Sequence, residues 1–185
     1  MNVWMALTML ACSGSKEDVT ADSGVPGALV ACDACGGVCG TDEVPALSRQ
    51  HVESDVAYLA SPPAGGDHDA CWAPWSASAE ALRPENWVHN LEHGGIVLLY
   101  PTDASAEEIA ALTGFLDAHP AGRVVVTPYT EAMDLEGARF AAVAWEHRLM
   151  LGCVDLDAIG AFYDTWSGRG PEDTMSSPPE GCMGT

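Results

Sequence analysis

The chain has 185 residues and carries 27 acidic side chains against 7 basic ones, a formal net charge of −20 at pH 7. This length suffices for one domain with a hydrophobic core and a flexible leader. So acidic a chain is poorly suited to phosphate backbones and anionic lipid headgroups, since both bind to basic faces. We therefore expect no nucleic-acid partner, and we interpret the acidity as serving solubility outside the cytoplasm.

The N-terminus predicts export and lipid anchoring. Residues 1–11 are mainly apolar and end in a leucine and an alanine before Cys12, as in a bacterial lipobox, although they lack the Lys or Arg that usually opens a secretion signal. This run is too short to span a bilayer. We expect residues 1–12 to be a lipoprotein signal with Cys12 lipidated, residues 13–30 a flexible tether, and residues 31–185 one domain. The protein would then lie in the cell envelope, facing the periplasm or the exterior.

The cysteines support an exported chain. Seven cysteines less Cys12 leave six, and an even number predicts disulfides, for which six cysteines allow about 15 pairings. The cluster at residues 32–40 has C-x2-C-x3-C spacing, which also occurs in redox pairs, zinc knuckles and iron–sulfur sites. Its glycines disfavour the helix that a thioredoxin-like redox pair needs, so we interpret it as structural. The disulfide candidates are Cys32, Cys35, Cys39, Cys71, Cys153 and Cys182.

The order of predicted elements indicates a single mixed α+β domain, with a central sheet and two main helices after a Cys-rich irregular segment. One helix opens at a capping box formed by Ser105 and Glu108 and runs to about His119. A second, amphipathic helix follows Asp155. Ferredoxin-like and thioredoxin-like arrangements both fit this order. The predicted strands are residues 52–59, 96–100, 123–129 and 139–146, with a hairpin partner at 149–151.

The segment Trp87–Tyr100 contains the most specific pattern. His89 and His93 are four residues apart, with Glu92 between them. In a helix these two rings share a face and can bind one metal ion, whereas in a strand they would be about 13 Å apart. The pair Gly94–Gly95 favours a helical turn that ends there, since glycine adopts positive φ at helix ends. The sequence therefore predicts a helical pair of metal ligands.

Further candidate ligands surround this pair. His68 ends a loop of two prolines and two glycines, which presents its ring at a defined place, and His51 precedes the first predicted strand. Glu92 or Asp67 would be a fourth ligand or would orient an imidazole. An imidazole-rich set suits zinc or copper(II) better than calcium or magnesium.

The sequence also bears on organic cofactors and on the surroundings of the histidines. No glycine-rich loop follows a strand and opens a helix, so no organic cofactor is expected. We expect the wall of the pocket or the core beside it to be formed by Trp72, Trp75 and Trp87.

Two other interpretations of the histidines stay open. They would form a metal-free hydrogen-bond network that ties loops together. Alternatively, H-x-x-E-H at residues 89–93 would be the inverted zinc-peptidase motif, with Glu92 as general base. Against a peptidase, the glycines end the helix at once and no later helix clearly offers a glutamate ligand. The remaining histidines, His119 and His147, are assigned to a helix end and a turn.

The histidine segments carry a family pattern. The matching residues are His51-Val52, Tyr58, Pro62-Pro63-x-x-Gly66-x-His68, Trp75, Val88 to Gly95, Tyr100, Val126-x-Pro128, Ala144-Trp145 and Pro171-Glu172. On these residues the chain resembles the DUF3105 family of uncharacterised bacterial proteins, over about residues 51–172. The pair Ala64-Gly65 departs from the usual family loop and loosens it. The resemblance implies an exported or membrane-anchored protein and supports the histidine site, without implying an activity.

These observations predict a cell-envelope lipoprotein that binds copper or zinc through His68, His89 and His93, assisted by His51 or Glu92. We expect capture, delivery or sensing of the metal rather than turnover, with the membrane anchor and a metal donor or protein partner in the envelope. The alternatives are a metal-free structural or interaction lipoprotein and a zinc hydrolase.

Overall fold

A computed structural model describes residues 30–31, 38–119, 123–172 and 181–182. The predicted signal peptide and tether, the lipidation site Cys12 and the cysteines Cys32 and Cys35 lie outside the described residues. Within the described ranges, no helix combines the length and apolarity that crossing a membrane requires.

The described chain contains six strands and three helices. The strands are β1 (Val30–Ala31), β2 (Val38–Glu43), β3 (Ile96–Pro101), β4 (Val124–Tyr129), β5 (Phe140–Ala144) and β6 (His147–Leu151). The helices are α1 (Pro84–Glu92), α2 (Ala106–Ala118) and α3 (Leu156–Trp166).

One mixed sheet has the strand order β1-β2-β6-β5-β3-β4. β3 and β4 are parallel neighbours joined through α2, and every other pair is antiparallel. A parallel pair needs such a crossover, because a tight turn joins only antiparallel strands. The direct contact of β3 with β4 excludes a ferredoxin-like fold, whose βαβ unit is split. The α+β class predicted from the sequence is confirmed.

Apolar cores lie on both faces of this sheet. Along β3, Ile96 and Leu98 pack with α2 and α3, whereas Val97 and Leu99 pack with α1. This division follows from the two-residue period of a strand, and it explains why β3 is apolar at every position. The uninterrupted apolar run therefore reflects a strand that is covered on both sides.

The capped helices and the central strands are confirmed. Ser105 and Glu108 form a reciprocal capping box at α2, and the Asp155 side chain accepts a hydrogen bond from Ala158 N at α3. The H-x3-H segment is helical as predicted, within a third helix, α1. Gly94, just after its C-cap, has φ of 79°.

Three sequence predictions of local structure are wrong. Residues 52–59 form no strand; only His51 forms a short parallel bridge, with His68. His147 lies in β6 rather than in a turn. The Cys-rich segment is not irregular throughout, because β2 includes Cys39 and pairs with β6.

Disulfides form as the cysteine count predicts. Cys71 is bonded to Cys182 across a sequence separation of 111 residues, which ties the C-terminal segment to the loop before α1. Cys39 and Cys153 each take part in a disulfide as well.

Gly95, between α1 and β3, is a point of close backbone approach. A Cβ atom there would lie 2.3 Å from Trp75 Cζ3 and 2.8 Å from Asn90 O. We predict that Gly95→Ala lowers the free energy of unfolding by about 1–3 kcal/mol, the usual cost of overpacking. Urea denaturation followed by circular dichroism measures this loss.

Gly114 provides a matched control in α2. A Cβ atom there meets nothing within 4 Å, so Gly114→Ala should raise the free energy of unfolding by about 0.5–1 kcal/mol through helix propensity. Equal effects of the two substitutions would contradict this account of Gly95.

Candidate functional site

The site is built around α1, a helix that is buried although half of it is polar. It begins at Pro84, whose fixed φ and missing N–H suit a first helical position. Residues 85–92 are all buried, among them Glu85, Asn86, His89, Asn90 and Glu92. Buried polar groups need partners, so these side chains determine how the neighbouring loops pack.

Two asparagines of α1 hold the loop that precedes it. The Asn90 side chain accepts from Ala73 N and donates to Ala73 O, both at 2.9 Å. Asn86 Nδ2 donates to Cys71 O at 2.7 Å. These bonds fix the backbone of residues 69–73 beside the histidines.

The loop that carries His68 is anchored to the sheet. Arg148 on β6 is 3 % exposed, forms an ion pair with Asp42 of β2, and donates to Ser61 O at 2.8 Å. Further along this loop, Ala64 O accepts from Glu146 N. The start of the proline–glycine loop is therefore rigidly held.

Two backbone carbonyls set the tautomers of His68 and His89. His68 Nδ1 lies 2.8 Å from Gly66 O, and His89 Nδ1 lies 2.8 Å from Asp69 O. A carbonyl oxygen only accepts, so each Nδ1 carries the proton and donates it. In the neutral ring each Nε2 then presents its lone pair, which is the arrangement of a metal-binding histidine with an oriented second nitrogen.

Three imidazole rings meet at this point. The ring centroids of His68 and His89 are 4.8 Å apart, and that of His51 lies 4.9 Å from His89 and 5.1 Å from His68. Backbone hydrogen bonds between residues 50–52 and His68 bring His51 there: Val52 N donates to His68 O at 2.8 Å, and His68 N donates to Gln50 O at 3.0 Å. His51 is exposed, whereas His68 and His89 are buried.

Glu92 completes the cluster. Its side chain is 2 % exposed, and its Oε2 lies 2.9 Å from His68 Nε2. Despite this approach, His68 Nε2 has no aligned hydrogen-bond partner among the described residues. One ligand atom from each of His51, His68, His89 and Glu92 lies within 4.8 Å of the other three. In a tetrahedral zinc site, two ligand atoms are about 3.3 Å apart. Small side-chain movements would therefore bring the four ligand atoms to the distances that one ion requires.

His93 lies beside this cluster and also faces a second group. Its Nε2 is 3.1 Å from His89 Nε2, which fits either a shared ion or a direct hydrogen bond. A ligand atom of His93 also lies within 4.8 Å of carboxylate oxygens of Glu92 and Glu172. The Trp72 ring packs against the rings of both His89 and His93, at 5.4 and 5.6 Å between centroids.

Burial keeps His89 and His93 neutral. Desolvation, aided by the neighbouring histidines, lowers the pKa of His89 to about 4. Desolvation also lowers the pKa of His93, although Glu172 opposes this. Burial raises the pKa of Glu92, while His68 beside it opposes the shift. At neutral pH His89 and His93 are therefore in the form that binds metals.

The structure brings together most of the residues predicted for the site. Asp67 is an exception: its carboxylate accepts from Gln50 N at 2.8 Å, and hydrogen bonds from Ser48 and Gln50 lower its pKa. Trp75 and Trp87 pack in the core on the α1 face of the sheet, so Trp72 alone of the three predicted tryptophans contacts the rings.

Sequence reasoning missed Arg49 and Glu172. Arg49 Nη1 lies 3.7 Å from Glu92 Oε1 and 3.8 Å from Glu172 Oε1. The family pattern already included Pro171-Glu172, and that match was the one available signal for Glu172. Nothing in the local sequence distinguishes Arg49.

The comparison with family models gives one match, to residues 51–178, described as "Protein of unknown function (DUF3105)". The chain belongs to the DUF3105 family. No curated protein and no solved structure matches the chain. The DUF3105 match begins at His51 and includes both groups of candidate ligands, whereas Arg49 lies just outside it.

The lowered pKa of His89 predicts how stability depends on pH. In the unfolded chain His89 takes up a proton near pH 6.5, whereas in the folded chain it does so near pH 4. The unfolded state binds more protons between these values, so this contribution to stability is complete above pH 6.5 and is lost as the pH falls towards 4. We predict that the melting temperature of the chelator-treated protein falls in this window, and that His89→Gln reduces the slope.

His119→Gln is the control, because the His119 ring stacks on Phe115 instead. It should keep the wild-type slope. The lowered pKa of His93 makes stability rise with pH, as that of His89 does, whereas the raised pKa of Glu92 makes stability fall with pH. The test is therefore the difference in slope between His89→Gln and the wild type. An unchanged slope in His89→Gln would contradict the assignment.

Proposed function

We propose that this DUF3105 protein binds a transition-metal ion, copper or zinc, through His51, His68, His89 and Glu92. One observation carries the proposal: the buried His68 and His89 donate Nδ1–H to backbone carbonyls, and one ligand atom of each lies within 4.8 Å of ligand atoms of His51 and of the buried Glu92 carboxylate. His68 Nε2 and Glu92 Oε2 lie 2.9 Å apart inside the protein, a separation at which the two atoms hold either a proton or a metal ion between them.

The donor set favours zinc or copper over calcium or magnesium. Three imidazoles and one carboxylate are nitrogen-rich ligands of intermediate softness, whereas calcium and magnesium prefer oxygen ligands alone. Gly66 O and Asp69 O would orient two of the imidazoles and increase their basicity, as second-shell acceptors do in metal proteins.

The exposure of His51 supports capture and delivery. Three ligands of the set are buried, and His51 is the exposed one through which an ion would enter and leave. The formal charge of −20 would raise the local concentration of cations. We place the protein in the cell envelope as a lipoprotein anchored at Cys12, with a metal donor or acceptor as partner; the lipobox-like sequence and the disulfides support this part of the proposal.

A metal-free histidine network is the second candidate. It is favoured by the 3.1 Å separation of His89 Nε2 and His93 Nε2, since a proton on His93 Nε2 would bond to the lone pair of His89. A zinc hydrolase is less well supported, because Glu92 is 2 % exposed and its carboxylate lies against His68. A general base would have to reach a substrate water.

The test is metal content. The chain is exported into an oxidising compartment, purified without a histidine tag, incubated with zinc or copper(II) and desalted before elemental analysis. We expect the wild type to retain near-stoichiometric metal. His89→Ala should lose the tightest-bound equivalent, because it removes a lone pair at the centre of the cluster. His51→Ala should weaken binding with little effect on folding, because His51 is exposed.

His119→Ala is the matched control and should retain the metal. No metal in the wild type, together with a large fall in melting temperature in His89→Ala, would favour the metal-free network. Retention of the tightest-bound equivalent in His89→Ala would also overturn the proposal.

A further inference from the structure

Glu92 belongs to two groups of candidate ligands at once. The first is the histidine cluster described above, and the second consists of Glu92, His93 and Glu172, whose ligand atoms also lie within 4.8 Å of one another. The two carboxylate oxygens divide between the groups: Oε2 approaches His68, whereas Oε1 faces Arg49 on the side of Glu172. A carboxylate with one oxygen toward each group can bridge two cations.

The second group is held by close packing. Glu172 N donates to Glu92 O at 3.0 Å, and Gly168 N donates to Gly94 O at 2.8 Å. A Cβ atom at Gly170 would lie 2.2 Å from Glu92 O, so the backbone approaches the end of α1 as closely as only glycine permits. The segment after α3 is therefore docked on the end of α1, and Glu172 is brought to His93 by this docking.

Arg49 supplies a positive charge at the second group. Its guanidinium lies within 3.8 Å of both carboxylates, and its side chain is 51 % exposed. Two carboxylates this close need a cation between them, since like charges at short range disfavour ionisation of both. Arg49 is half-exposed, so its guanidinium can move into solvent at little cost to itself. The buried Glu92 carboxylate would keep a cationic partner, because the incoming ion replaces the guanidinium.

We propose that Glu92, His93 and Glu172 form a second metal site, so that the protein holds a two-ion centre bridged by Glu92. This inference rests on the proposed function, because the bridging requires an ion in the histidine cluster. The second ion is a divalent cation that accepts one imidazole and two carboxylates, for which zinc is suited. On binding it takes the place of the Arg49 guanidinium between the carboxylates. His89 and His93 then serve different ions, which requires the 3.1 Å contact between their Nε2 atoms to open when the second ion binds.

The experiment is a zinc titration of the full chain against a chromophoric chelator, with elemental analysis at saturation. We expect two equivalents for the wild type, the second bound more weakly. Glu172→Gln should keep the first equivalent at its wild-type affinity and lose the second. His93→Asn should give the same result. Glu107→Gln, an exposed glutamate in the first turn of α2, is the matched control and should bind two equivalents.

The possible results distinguish failure of the second metal site from failure of the proposed metal binding by the histidine cluster. One equivalent in the wild type, with unchanged binding in Glu172→Gln, would overturn the second site and leave the first. Loss of the first equivalent in His93→Asn would overturn it as well, since His93 would then serve the first ion. Absence of zinc from the wild type would overturn both proposals together.

Arg49→Gln tests the exchange of charge. If the second ion displaces the guanidinium, removing that charge should tighten the second equivalent about two- to fivefold and leave the first unchanged, in keeping with the size of exposed ion pairs. Weaker binding of the second equivalent would overturn the exchange. The side chain of Glu172 is itself half-exposed, so neither substitution removes core packing.

Discussion

The burial of a polar helix is the constraint on which the rest of the site depends. Helix α1 places Asn86, His89, Asn90 and Glu92 inside the protein, where an unpartnered polar group costs several kcal/mol or shifts its pKa. Almost every partner comes from backbone of loops outside regular strands. The loop at residues 69–73 therefore owes its shape to the side chains of α1.

The burial of these polar groups also determines the tautomers of the histidines in the proposed metal site. Carbonyls that accept from the Nδ1 atoms of His68 and His89 determine which ring nitrogen keeps its lone pair. The hydrogen bonds that satisfy these buried rings are therefore also the ones on which the proposed metal binding depends. Burial lowers the pKa of His89, which keeps the ring neutral, and it raises the pKa of Glu92, which favours the protonated carboxyl group. In the proposed site, a metal ion would compensate the negative charge of the Glu92 carboxylate.

The sheet contributes by holding the two ends of the site. Arg148 on β6 fixes the start of the His68 loop, and β3 continues directly from the glycine pair that ends α1. The segment after α3 closes onto that same end through Gly170. Because α3 packs on the other face of the sheet, the chain passes the N-terminal end of β3, where Gly168 N donates to Gly94 O, before it reaches Glu172. The site therefore combines residues that lie as far apart in the sequence as Arg49 and Glu172.

The sequence by itself determined the features that depend on neighbours within about one turn or one strand. The capping box at Ser105, the apolar run of β3 and the helical H-x3-H ending at Gly94 are of this kind, because hydrogen bonds and periodicity act at fixed short spacing. Only the tertiary structure decided that residues 52–59 form no strand, that Glu92 rather than Asp67 joins the histidines, and that Glu172 meets His93. Those outcomes depend on which distant backbone groups satisfy buried side chains, and short-range patterns carry no information about distant partners.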